Sequence, residues 1–134
     1  MSLKQDLEVC EEYRAAIRVA QAVAKHVAEQ VVRAEQQLKN AEADLLNFDR
    51  VGAEIRTREA EKARDAIKAG VDPVVQVDES RFLARRVCEE RVAILRAAHE
   101  LMRGELNAAA LKVAAANKAY STSGANRLMA LMGR

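Results

Sequence analysis

The chain has 134 residues, of which half are apolar, 31% are charged and four are aromatic, with a net charge of +2. That length allows one domain, a composition so rich in alanine and poor in aromatics argues against a compact globule with a bulky core, and the balanced charge implies no polyanionic partner. The N-terminus is charged from Lys4 onward and no apolar run approaches the ~18–20 residues that span a bilayer, so neither a signal peptide nor a membrane segment is expected.

Residues 3–69 contain no proline, no serine and one glycine. From Cys10, steps of three and four lead through Tyr13, Ile17, Ala20, Ala24, Val27, Val31, Ala34, Leu38, Ala41, Leu45, Phe48, Gly52 and Ile55. These fourteen consecutive a- and d-type positions carry no charge, while charged residues crowd between them. That is a heptad seam, and it predicts one helix over about 3–69. Past Ile55 the step becomes four (Glu59, Ala63, Ile67), as in a stutter.

Gly70 suits the left-handed residue that closes a helix, and Pro73 forbids its continuation, so residues 70–78 are expected to form a connecting loop. Asp78 is a candidate N-cap, with Glu79 adding negative charge to the first turn. A second seam runs through Cys88, Val92, Leu95, His99, Met102, Leu106, Ala109, Val113, Ala116 and Tyr120, predicting a helix over about 79–120. Ser121 to Gly124 read as a hinge, and Leu128, Met129, Leu131 and Met132 mark a short amphipathic C-terminal helix that must dock on its own bundle or on a partner.

The short connection favours antiparallel neighbours, so the expected fold is all-α, a long coiled-coil hairpin over 1–120 followed by the 121–134 tail. Its seam is carried chiefly by Ile17, Val27, Val31, Leu38, Leu45, Phe48 and Ile55 on one helix. Val92, Leu95, Met102, Leu106 and Val113 carry it on the other. Folding about the break pairs positions whose numbers add to about 147. In that alignment Leu45 faces Met102, Leu38 faces Ala109 and His99 meets Phe48, and the acidic first residues lie beside the basic end. The first ~25 residues would overhang.

Each helix also carries a second apolar stripe: Val9, Ala16, Val19 and Val23 on the first, Val87, Ile94, Leu101 and Ala108 on the second. An apolar face about three positions in seven wide suits a bundle, so two hairpins are expected to pair by twofold symmetry into an elongated four-helix bundle. The partners implied are a second copy and other proteins.

Candidate chemistry is sparse. Cys10 and Cys88 sit on seam positions without ligand spacing, which fits a reduced, cytoplasmic-type setting or a particle assembled there. His26 and His99 have no companion ligands one turn away, so no metal and no cofactor is expected. Glu8 and Glu12 share a face, but a two-helix rod offers no cleft for acid–base work, and no catalytic residue is expected. Arginines crowd the tip, among them Arg56, Arg64, Arg81, Arg85 and Arg86, and could track a phosphate backbone. Interleaved acids and the lack of stacking aromatics favour a salt-bridged face instead. The expected function is a non-enzymatic structural or adaptor role through helix–helix contacts. By fold-level analogy it would suit an assembly component of a phage or secretion apparatus; the alternative is a nucleic-acid-associated hairpin.

Overall fold

The computed structural model of the protein describes residues 3–124 and residue 131, and its elements are two helices, α1 (Leu3–Lys68) and α2 (Glu79–Thr122). They pack antiparallel as a hairpin, and no strand or third helix occurs among the described residues. Of the expected C-terminal helix, Leu128, Met129 and Met132 lie outside the described residues; Leu131 is described and exposed.

Both helices end for reasons written in their residues. Gly70 adopts a φ of +72°, its N–H donates to the Ile67 carbonyl at 3.1 Å, and the Val71 N–H donates to the Ala66 carbonyl at 2.9 Å. This crossed pair is a Schellman closure, which satisfies carbonyls that the last turn leaves without partners. Asp78 starts α2 as its N-cap, since its carboxylate accepts the Ser80 N–H at 3.1 Å and the Ser80 hydroxyl. At the far end α2 runs two residues past its expected stop. The Thr122 hydroxyl donates to the Lys118 carbonyl and the Ser123 hydroxyl to the Tyr120 carbonyl, extending the last turn into the expected hinge.

The chain divides into two compact units, one of residues Glu35–Ala98 and one of Met1–Ala34 with His99–Arg134. In each, heptad spacing decides which residues leave water. All fourteen α1 seam positions from Cys10 to Ile55 and all ten on α2 from Cys88 to Tyr120 are buried or half-buried. The expected step of four beyond Ala63 does not hold, because Ala66 is half-buried and Ile67 is exposed.

The alignment of the two helices differs from the sequence expectation. In the Glu35–Ala98 unit Arg85 grips Asp49 at 2.6 Å, and the Arg81 guanidinium donates to the Phe48 carbonyl at 2.8 Å. In the other unit the Tyr13 and Tyr120 rings lie 6.5 Å apart. Facing numbers therefore add to 134 for Asp49 and Arg85 and to 133 for the tyrosines, not to 147. The difference is two heptads, so the same seams meet with different partners. Carried along the heptads, this alignment sets Ala41 beside Val92 and Ala24 beside Ala109; Ala41, Val92 and Ala109 are buried. Phe48 lies under Arg81, 5.4 Å from its guanidinium, instead of meeting His99. Because Tyr13 already meets Tyr120, no 25-residue overhang exists at the start of α1.

The slip follows from the connection. Ten residues, 69–78, separate the helices, and they run back along the last turns of α1 so that Val75, Gln76 and Val77 share a cleft with Ile55, Ala60 and Ala63. Extended chain covers up to ~3.3 Å per residue against 1.5 Å in a helix, so such a segment can retrace about two heptads. In a background lacking Cys10 and Cys88, Leu38→Cys with Leu95→Cys should form a disulfide on oxidation, whereas Leu38→Cys with Ala109→Cys should not. The reverse result, read on non-reducing gels, would restore the tighter alignment. Gly70→Ala should cost about 1–2 kcal/mol in urea denaturation, because a Cβ is strained at this φ.

Candidate functional site

Only Cys10, Ala41, Val92 and Ala109 are buried among the described residues, and no leucine, isoleucine or phenylalanine joins them. Two helices enclose a seam on two sides at most, so larger side chains stay half-wet. The chain exposes 10287 Å². A compact monomer of its 14.8 kDa would expose about 7000 Å².

That surface is ordered on α2. Starting from Val87, steps of three and four away from the buried seam pass Glu90 and then Ile94, Ala97, Leu101, Gly104, Ala108, Leu111 and Ala115. From Ile94 to Ala115 these seven positions carry no charge, and all are exposed. Val87 is 68% exposed, Ile94 59%, Leu101 72% and Leu111 71%. The helix thus bears a second heptad seam on the side away from α1. Leu111, Ala97 and Gly104 complete a pattern of which only Val87, Ile94, Leu101 and Ala108 stood out in the sequence. Counting every third and fourth residue from Ile94 would have found them.

On α1 the second stripe stops early. Val19 and Val23 are exposed, Val9 is half-buried, and the following equivalents of Val23 are Gln30, Gln37 and Asp44. Val32 and Leu46, also exposed, are separated on their own stripe by Lys39. One helix therefore presents a line and the other presents spots. In the Glu35–Ala98 unit a further apolar area surrounds the connection, where Ile67, Val71, Val74, Val75, Val77 and Phe82 are all exposed.

The candidate arginines differ in availability. Arg85 holds Asp49 with two donors and also pairs with Glu89; Arg64 pairs with Asp65 at 3.2 Å; Arg81 is engaged with the Phe48 carbonyl and ring. Arg56 and Arg86 form no hydrogen bond or ion pair among the described residues. No group of three or more His, Cys, Asp or Glu side chains is placed to hold a metal among the described residues. Both cysteines are free, Cys10 buried and Cys88 half-buried. His26 hydrogen-bonds Gln30 one turn on, and His99 lies half-buried in the seam. No described helix is long and apolar enough to cross a membrane.

Compared with known proteins, the chain matches no family model, no curated protein and no solved structure, so its reading rests on its own residues.

The Arg85 hydrogen bond holds the Asp49 carboxyl below its ordinary 3.8, against the opposing effect of desolvation, and the same bond raises Arg85. A carboxyl whose pKa is lower in the folded chain stabilises it above the unfolded value, and that contribution is lost as pH falls through the folded one. At low ionic strength Asp49→Asn should therefore melt below the native chain at neutral pH, the two midpoints converging below about pH 4. A gap that persists unchanged to about pH 2 would show that the ion pair does not carry it.

Proposed function

We propose that the protein is a non-enzymatic structural or adaptor component that works by coiled-coil association, and that its joining surface is the outer seam of α2. The observation that supports this most is the uncharged, exposed heptad run from Ile94 to Ala115. A solvated helix face interleaves charges, and apolar residues aligned every three and four positions have no use in water.

The first partner proposed is a second copy. Read in reverse, the run complements itself: about a twofold axis between Leu101 and Gly104, Leu101 fills the space over the partner's glycine. Ala97 then meets Ala108, and Ile94 meets Leu111. Large side chains meet small ones or each other in pairs, as an isologous interface requires. A standard interface withdraws about 800 Å² from each partner, well within the surface this chain has in excess. With its own α1 on the inner side, α2 becomes the centre of a four-helix assembly, which suits a spacer or assembly factor, for instance in a phage or a secretion apparatus.

A nucleic-acid role is less favoured, because Arg64 and Arg85 are neutralised by the carboxylates of Asp65 and Asp49.

Sedimentation equilibrium tests the reading. The native chain should sediment as a dimer or larger. Leu101→Asp or Ile94→Asp should reduce it to the monomer mass while retaining helical circular dichroism. Leu46→Asp, equally exposed on α1, should leave the mass unchanged. A native monomer, or a mass insensitive to Leu101→Asp, would overturn the proposal.

A further inference from the structure

The cleft in the Glu35–Ala98 unit is separate from the outer seam of α2 and has its own chemistry. It measures about 510 Å³, within the range of small-molecule sites. Its walls are apolar, with Phe48, Ile55, Ala60 and Ala63 from α1 and Val75 and Val77 from the returning connection. One end is not apolar. Gly52 has no side chain, and the space where its Cβ would stand is 3.8 Å from the Arg56 guanidinium and 3.8 Å from that of Arg81. Two cations converge on one point.

The acids that share the lining have partners of their own, although each cation of the pair also acts on one of them, Arg56 on Asp49 and Arg81 on Asp78. Asp49 is taken by Arg85, Glu59 lies 3.4 Å from Lys62, and Asp78 caps α2 through Ser80. Arg81 spends one donor on the Phe48 carbonyl, and Arg56 forms no hydrogen bond or ion pair among the described residues. Three acids balance three arginines over the whole lining, so the complementarity to an acid with a hydrocarbon body lies in the convergence of Arg56 and Arg81 at one end of the trough, not in net charge. Of the lining side chains only Gln76 is an uncharged polar group. The amides of a peptide, or the base and ribose of a nucleotide, would be desolvated there with few side-chain partners.

We propose that this cleft binds a linear amphiphilic carboxylate of fatty-acid type, its chain along Ile55, Ala60 and Val77 and its head group between Arg56 and Arg81. Burial of the chain supplies most of the affinity, and the guanidinium pair selects an anion over a cation or an alcohol.

The test uses the full isotope-labelled chain and amide NMR. Decanoate, kept below its micelle concentration, should shift the amides of Gly52, Ile55, Arg56, Ala60 and Val77 saturably. Decyltrimethylammonium, with the same chain and the opposite charge, should bind at least about tenfold more weakly. Arg56→Gln should weaken decanoate by about tenfold while leaving decanol unchanged. Ala60→Trp, which fills the trough with both cations intact, should abolish binding at unchanged helicity. Equal binding of the ammonium compound, or shifts confined to the outer face of α2, would overturn the proposal. So would a synthetic amphipathic Leu/Glu peptide occupying the same cleft at least about tenfold more tightly than decanoate, because the cleft would then belong to a protein partner.

Discussion

A heptad seam two residues wide can be closed by one partner helix but cannot be enclosed by it, and this constraint governs the molecule. Each a- or d-type side chain on α1 meets α2 on one side and water at the flanks. Among the described residues only Cys10, Ala41, Ala109 and Val92 are buried, and of these only Cys10 is fully withdrawn. At about 25 cal/mol per Å² of apolar area removed from water, half-buried leucines and valines contribute a fraction of what a globular core yields. Helix formation adds little of its own, because propensity is weak beside packing. A hairpin of this kind leaves apolar surface in water, and the outer seam of α2 is one such surface.

The same seam explains why the fold was legible in the sequence and the pairing was not. Proline and serine are absent from residues 3–69, Gly70 and Asp78 stand where caps belong, and the uncharged positions name both inward faces. Each of these is a local signal with a local cause. Alignment is different, since sliding one helix by seven residues returns the same faces to each other. Sums of 147 and 133 are equivalent in phase and differ only in how far the connection retraces α1. The tighter choice assumed that the shortest closure wins. What overrides it is specific: Arg85 reaches Asp49, Arg81 reaches the Phe48 carbonyl across Gly52, and Tyr13 meets Tyr120. The valines of the connection were the available clue. Val71, Val74, Val75 and Val77 contribute nothing to a minimal turn, yet suit a segment laid along an apolar helix face.

The two helices are not equivalent, and the asymmetry bears on function. Past Val23 the outer stripe of α1 turns to Gln30, Gln37 and Asp44, the composition of a face meant for water. On α2 the outer stripe stays apolar to Ala115, where alanines and Gly104 allow close approach of another helix. Bulk alternates with its absence along that line, from Ile94 and Ala97 to Leu101, Gly104, Ala108 and Leu111. Basic residues and glutamates between the stripes add i,i+4 support, as in Arg50 with Glu54 and Lys39 with Glu35.

The tip cleft is a consequence of the same slip. Were the helices aligned by the tightest connection, α2 would cover the last turns of α1, and Ile55, Ala60 and Ala63 would meet helix. Retreat of α2 by two heptads leaves them to an extended segment that has fewer side chains per unit length of contact. An extended strand cannot fill the groove a helix would fill, so a trough remains. At Gly52 two guanidiniums stand 3.8 Å from the point a Cβ would occupy. The cleft thus joins apolar walls that come from an incomplete seam to two guanidiniums, of which that of Arg81 belongs to the clamp fixing the alignment. Arg81 belongs to both: it donates to the Phe48 carbonyl, which helps set the alignment, and its guanidinium stands beside Gly52 at the end of the cleft.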